Sequence, residues 1–289
     1  MAVYLDFNAS APIDERVLGR MIDVYRFHYG NADSRTHIFG TDTKEIVNTS
    51  RKTIADILRV DSTDVFFTSG STESNNMAVL GLLAYARETG RNHFITTSIE
   101  HKSIIEAMKY MQSQGCSVDF VSPDASGRIE PQQILDLVTE KTLLVSVMHV
   151  NSETGIIQPI EEIGSALADT QTYFHIDATQ GFGSLNDSLR RAKYDMLSIT
   201  AHKLGGPQGV GALILRRDRS YRRPPVKPLM YGGQQERGYR PGTTPVALVA
   251  GFALAAELCD AEAPKHREAC LAIKKEFFQA INGLHYSLN

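Results

Sequence analysis

SITAHKLGGPQGVGALIL, residues 198–215, closes a β-branched run at Thr200, bends through a glycine-rich turn that carries Lys203, and opens a second apolar run. Working upstream from this bend, short runs of the same kind recur: DVFFTSG near 64, HFITTS near 93, SVDFVS near 117, TLLVSVMHV near 142, YFHIDA near 173 and YDMLSIT near 194. With VGALILR near 210 they make seven strand candidates. Between them lie helical patterns, with Ile160, Ile163 and Leu167 three and four apart and Val47, Ile54 and Leu58 seven and four apart. Each spacing gives one buried helix face. Strands alternating with helices predict an α/β fold with a seven-stranded, mostly parallel sheet flanked by helices. The stretch NNMAVLGLLAYA reads as one helix buried on nearly every side, and the 216–245 region, rich in Pro and Gly, as an ordered functional loop or domain-edge excursion. After it, TPVALVAGFALAAELCDAEA and HREACLAIKKEFFQAI read as two long helices.

The 289 residues suffice for one large domain and part of another, and 42% hydrophobic content is ordinary for a globular protein. Lys+Arg 30 against Asp+Glu 33 leaves a formal charge of -3, without the basic excess of a direct nucleic-acid binder. The opening MAVYLDFNAS has no basic segment leading into an apolar one, and no window is long enough for a membrane span, so the expected location is cytoplasmic, with no membrane partner. Cys116, Cys259 and Cys270 form no metal-ligand spacing and an odd number, which reads as reduced, half-buried thiols.

The chemistry is concentrated at predicted strand ends. Lys203 sits among small and hydroxyl residues beside His202, and burial there would push its amine toward the neutral, imine-forming state. Glycines at 205, 206, 209 and 211 let the backbone approach a flat ligand. Asp177 ends an apolar strand at the carboxyl edge of the sheet, where open α/β sheets bind ligands. Taken alone it is more readily a helix N-cap or turn residue. Paired with Lys203, it suits a pyridine nitrogen that must stay protonated, with Gln180 in reach of a ring oxygen. In FTSGSTESNN a strand turns into a helix at Gly70, Ser71 and Thr72, whose N–H groups and hydroxyls favour a phosphate dianion. Thr200 and His202 can add donors to the same anion. His101, after another strand end, can stack on the ring or relay protons. Together these groups describe a site for pyridoxal 5′-phosphate.

On these motifs the sequence resembles the cysteine desulfurases of the pyridoxal-phosphate class V aminotransferase group. The likeness extends through YLDFNASAP, GNADSRTHIFG, FTSGSTESNN, SIEHKSI, MHVNSETGIIQPIEEIG, FHIDATQGFG, SITAHKLGGPQGVGAL and GGQQERGYRPGTTPV. It implies the type I fold of pyridoxal-phosphate transferases, with residues 15–260 as the large cofactor domain, 1–14 as part of a smaller domain, and 261–289 as the start of an incomplete one. It also implies a homodimer in which Thr243 binds the partner's phosphate. Ser71, Thr72, Thr200 and His202 become phosphate ligands, Asp177 and Gln180 ring ligands, His101 the stacking acid/base group and Lys203 the covalent anchor. Ser152 stands where the family usually has an Asn that touches the ring's phenolic oxygen, and its hydroxyl reaches less far.

The implied activity takes sulfur from L-cysteine, leaving L-alanine and a protein persulfide for a sulfur-acceptor protein. Iron–sulfur cluster assembly, tRNA thiolation and sulfur modification of DNA all draw on the family. The family's persulfide-forming cysteine and the arginine that clamps the substrate carboxylate lie beyond residue 289. The chain is therefore expected to bind cofactor while lacking parts needed for turnover. Two alternatives remain open: a selenocysteine lyase or cysteine desulfhydrase of the same fold, and a non-catalytic dimeric scaffold that recruits sulfur acceptors.

Overall fold

In a computed structural model that describes residues 2–284, the seven apolar runs become β1 (Val65–Thr68), β2 (His93–Thr97), β3 (Ser117–Val121), β4 (Thr142–Met148), β5 (Tyr173–Asp177), β6 (Met196–Thr200) and β7 (Gly211–Leu215). They form one sheet in the order β1-β7-β6-β5-β4-β2-β3. Only β7 runs antiparallel to its neighbours β1 and β6; the other pairings are parallel. Alternate residues feed two cores. Phe67, Val145, Phe174, Leu197 and Ile214 face one layer of helices, whereas Phe66, Leu144, Met196 and Leu213 face the other. Burial on both faces explains why the strands other than half-exposed β3 read as largely apolar runs.

The helices are α1 (Glu15–Phe27), α2 (Ile38–Leu58), α3 (Ser71–Leu80), α4 (Leu83–Thr89), α5 (Lys102–Ser113), α6 (Pro131–Leu135), α7 (Ile160–Leu167), α8 (Asn186–Arg191) and α9 (Val246–Ala280). Two depart from the sequence expectation. NNMAVLGLLAYA is not one helix, because the chain at Val226–Lys227 crosses Gly81 closely. The Lys227 N–H donates to the Gly81 carbonyl at 2.8 Å, and a Cβ on Gly81 would lie 2.6 Å from Val226 Cγ1. The helix breaks there into α3 and α4. Conversely, the two predicted C-terminal helices are one, α9, which runs through Pro264. Its buried residues all lie between Val246 and Ala256. Beyond them the helix is mostly exposed, so the carbonyl that Pro264 leaves unpaired can bond to water.

The 216–245 region is ordered by a buried ion pair. Arg51 of α2 donates to both carboxylate oxygens of Glu236 at 2.7 Å and to the Val65 carbonyl at 2.6 Å, while Glu236 accepts the Phe67 N–H at 2.9 Å. Glu236 and Arg237 both have left-handed backbones, φ 45° and 57°, so the pair holds a turn that non-glycine residues resist. Arg51→Met would leave the Glu236 carboxylate buried without its cation. A loss of roughly 3–5 kcal/mol in urea unfolding is expected, and a loss within error would show that the pair does not stabilise this turn.

Candidate active site

The carboxyl ends of β1, β2, β4, β5 and β6 converge on a cavity of about 520 Å³, within the range of small-molecule sites. Eight of the ten sequence-predicted site residues line it: Ser71, Thr72, His101, Ser152, Asp177, Gln180, His202 and Lys203. Thr200 is buried behind them, its hydroxyl 3.0 Å from His202 Nδ1. Thr243 stands exposed on the loop before α9, outside this chain's cavity.

Lys203 is half-buried in the turn after β6 and makes no hydrogen bond or ion pair among the described residues. Burial lowers its pKa from the ordinary lysine value, and this outweighs the opposing pull of Asp177, Glu153 and Asp6. The turn is tied down by residues ahead of α1. The Ala11 N–H donates to the His202 carbonyl at 3.0 Å, and the Asp14 N–H to the Gly205 carbonyl at 2.9 Å. That N-terminal segment also brings Asp6, Asn8 and Ala9 into the cavity wall. Asn8 donates to the Ser152 carbonyl at 2.8 Å and accepts from Gln180 Nε2 at 3.2 Å through its own carbonyl.

Opposite the lysine, Asp177 is almost wholly buried, and both its oxygens are bonded, to Asn75 Nδ2 at 2.8 Å and to the Thr179 N–H at 3.0 Å. At the far end α3 begins at Gly70, whose φ of 152° and ψ of 178° suit only glycine. No side chain caps this helix, so the first-turn N–H groups beside Ser71 and Thr72 are open to an anion. Glu73 is turned away from it, accepting the Ser69 N–H at 2.6 Å and Arg240 Nε at 3.0 Å. His202 is held below the usual histidine pKa, chiefly by burial and then by Lys203. The donor set thus fits pyridoxal 5′-phosphate: an amine with a lowered pKa, a buried carboxylate, an imidazole, and an uncapped helix N-terminus with two hydroxyls. Cavity-lining Thr179 also has a buried hydroxyl oxygen without a partner among the described residues.

Sequence reasoning missed Asp6, Asn8, Ala9, Glu153, Asn75 and Glu100. Glu100 is fully enclosed, accepting from the Thr97 hydroxyl at 2.7 Å and the Met148 N–H at 2.9 Å through one oxygen, while the other has no partner. Burial pushes its carboxyl up to about 8 despite those two donors, with a smaller push from Asp177. An unfolded glutamate titrates near 4.5, so between that value and about 8 the folded chain holds an extra proton and loses stability as pH rises. Glu100→Gln keeps the shape without the ionisation. Urea unfolding should give similar stabilities near pH 5 and a more stable variant near pH 9; a gap unchanged with pH would contradict a neutral Glu100.

Comparison with known proteins bears on the family and the fold. A family model described as aminotransferase class-V matches residues 3–284. The mitosomal cysteine desulfurase of Trachipleistophora hominis is 39% identical over 96% of this chain and 63% of its own length. The crystal structure of DndA from Streptomyces lividans superposes with a TM-score of 0.90 at 41% identity, covering 99% of this chain and 80% of that one. A structure described as SspA in complex with cysteine gives 0.82 at 37% identity, over 89% and 72%. The chain spans between about half and two thirds of the length of the curated relatives it matches, which are named cysteine desulfurases. Among the described residues no helix is long and apolar enough to cross a membrane. With the sheet, the lysine turn and the match over 3–284 in agreement, the chain belongs to the class V aminotransferase family, whose cofactor is pyridoxal 5′-phosphate.

Proposed function

We propose that this chain is the cofactor-binding part of a cysteine desulfurase, an enzyme that removes sulfur from L-cysteine and leaves L-alanine. One observation carries the proposal: a half-buried lysine of lowered pKa shares a single cavity with a buried, doubly bonded aspartate and an uncapped helix N-terminus. The likeness to SspA, a protein solved in complex with cysteine, supports the choice of substrate.

In this reading Lys203 anchors the cofactor covalently, Asp177 and Gln180 hold the ring, and Ser152 lies toward its phenolic oxygen. Ser71, Thr72, Thr200 and His202 surround the phosphate, and His101 stacks on the ring as the acid/base group. Thr243 completes the phosphate site of a second copy in a homodimer, which accords with its exposure outside its own chain's cavity. When bound, the cofactor supplies an electron sink for the substrate's α-carbon. With the cofactor held there, the Lys203 amine would also be placed to carry a proton to or from the substrate. Burial favours this, because it shifts the amine toward its neutral, proton-accepting form.

None of Cys116, Cys259 and Cys270 lines the cavity, and burial raises the pKa of the first two. The thiol that receives the sulfur in this reading is therefore none of these three. The persulfide passes its sulfur to an acceptor protein serving iron–sulfur cluster assembly, tRNA thiolation or DNA modification. Three free cysteines fit a reducing compartment such as the cytoplasm.

Adding pyridoxal 5′-phosphate should give a visible absorption band that Lys203→Ala abolishes; a band retained in the variant overturns the Lys203 assignment. Sulfide release from cysteine that survives alkylation of every thiol would favour a desulfhydrase instead.

A further inference from the structure

Asn75 lies in the middle of α3, fully buried, with no part in the motif chemistry of the cavity. Its amide nitrogen is 2.8 Å from Asp177 Oδ2 and 2.9 Å from Ser103 Oγ. Ser103 Oγ is in turn 2.8 Å from His101 Nδ1, and the Ser103 backbone N–H donates to that same nitrogen at 3.1 Å. Four side chains from β5, α3 and the start of α5 are thus joined in one continuous line.

The hydrogens along this line can be assigned from chemistry alone. A backbone N–H only donates, so His101 Nδ1 must carry a lone pair. The Ser103 hydroxyl, facing that lone pair, must donate to it as well. Its oxygen is then left to accept, and Asn75 supplies the hydrogen. Flipping the Asn75 amide would set its carbonyl oxygen 2.8 Å from a carboxylate oxygen, acceptor against acceptor, so the nitrogen must face Asp177. Both amide hydrogens are consumed. The amide oxygen, meanwhile, is buried without a partner, an arrangement that costs stability and that hydrogen bonding elsewhere does not explain.

We propose that Asn75 and Ser103 are positioning residues that tie His101 to the Asp177 carboxylate and hold its neutral imidazole as the Nε2–H tautomer. The ring then meets a ligand in the cavity as a hydrogen-bond donor of fixed direction. This consequence rests on the cofactor reading of the cavity, whereas the tautomer itself does not.

The test is a long-range proton–nitrogen NMR correlation spectrum of the full chain labelled with nitrogen-15 histidine, without added cofactor. The His101 signals are assigned by their loss in His101→Gln. The wild-type chain should show a protonated Nε2 and a lone-pair Nδ1. In Ser103→Ala the Nδ1 resonance should shift downfield on losing the hydroxyl donor. In Ser103→Thr, which restores a hydroxyl, it should return to the wild-type position, and Asn75→Leu should move it through Ser103. A wild-type ring protonated on Nδ1 would overturn the proposal, as would an Nδ1 resonance unmoved in both Ser103→Ala and Asn75→Leu. If a variant does not fold, the wild-type tautomer and the Ser103→Thr spectrum still decide. Failure of the chain to bind cofactor would leave these spectra unaffected, so the two readings fail separately.

Discussion

A lysine serves this site only if its amine is partly withdrawn from water yet still reaches an open cavity. That places a tight constraint on the turn at residues 201–206. Three elements enforce it. β6 delivers the chain to the cavity floor, the segment before α1 bonds the His202 and Gly205 carbonyls, and α9 presses from behind, with Ala255 Cβ placed 3.1 Å from where a Cβ on Gly206 would lie. The segment ahead of α1 and helix α9 therefore bear on one turn from the two ends of the chain. This is why residues far apart in sequence decide the state of a single amine.

Legibility follows the same division between local and distant causes. The strands could be read from sequence because burial on both faces gives short, near-continuous apolar runs, with β3 at the sheet edge the half-exposed exception. Lys203, Asp177, His101 and the Ser71–Thr72 turn were legible because each follows a strand end, where the fold class itself places ligands. The break at Gly81 was not legible, since its cause is a segment about 145 residues later crossing over it. Nor was the continuity of α9, where solvent makes a proline tolerable that a packed helix would not accept. Asp6, Asn8 and Ala9 escaped notice because irregular chain carries no periodicity, and Asn75 because a polar residue inside a helix resembles a solvated one until its partners are seen.

Around the site, burial keeps several titratable groups uncharged. His149 and His175 are both held down at about 4, chiefly by desolvation, and Glu100 is held up. His175 spends its two ring nitrogens on the hydroxyls of Ser146 and Ser198, at 2.9 Å each. A floor made of neutral, hydrogen-bonded groups is a low-dielectric support, in which the few charges present act on one another with little screening.

The Arg51–Glu236 pair has one more effect. β1 is an edge strand, and two of its outward-facing polar groups are the Val65 carbonyl and the Phe67 N–H. Arg51 occupies the first and Glu236 the second. An intruding β-strand from another molecule would find both docking points taken by side chains of this chain. The same contacts that order the loop therefore also hinder edge-to-edge pairing on the β1 side of the sheet.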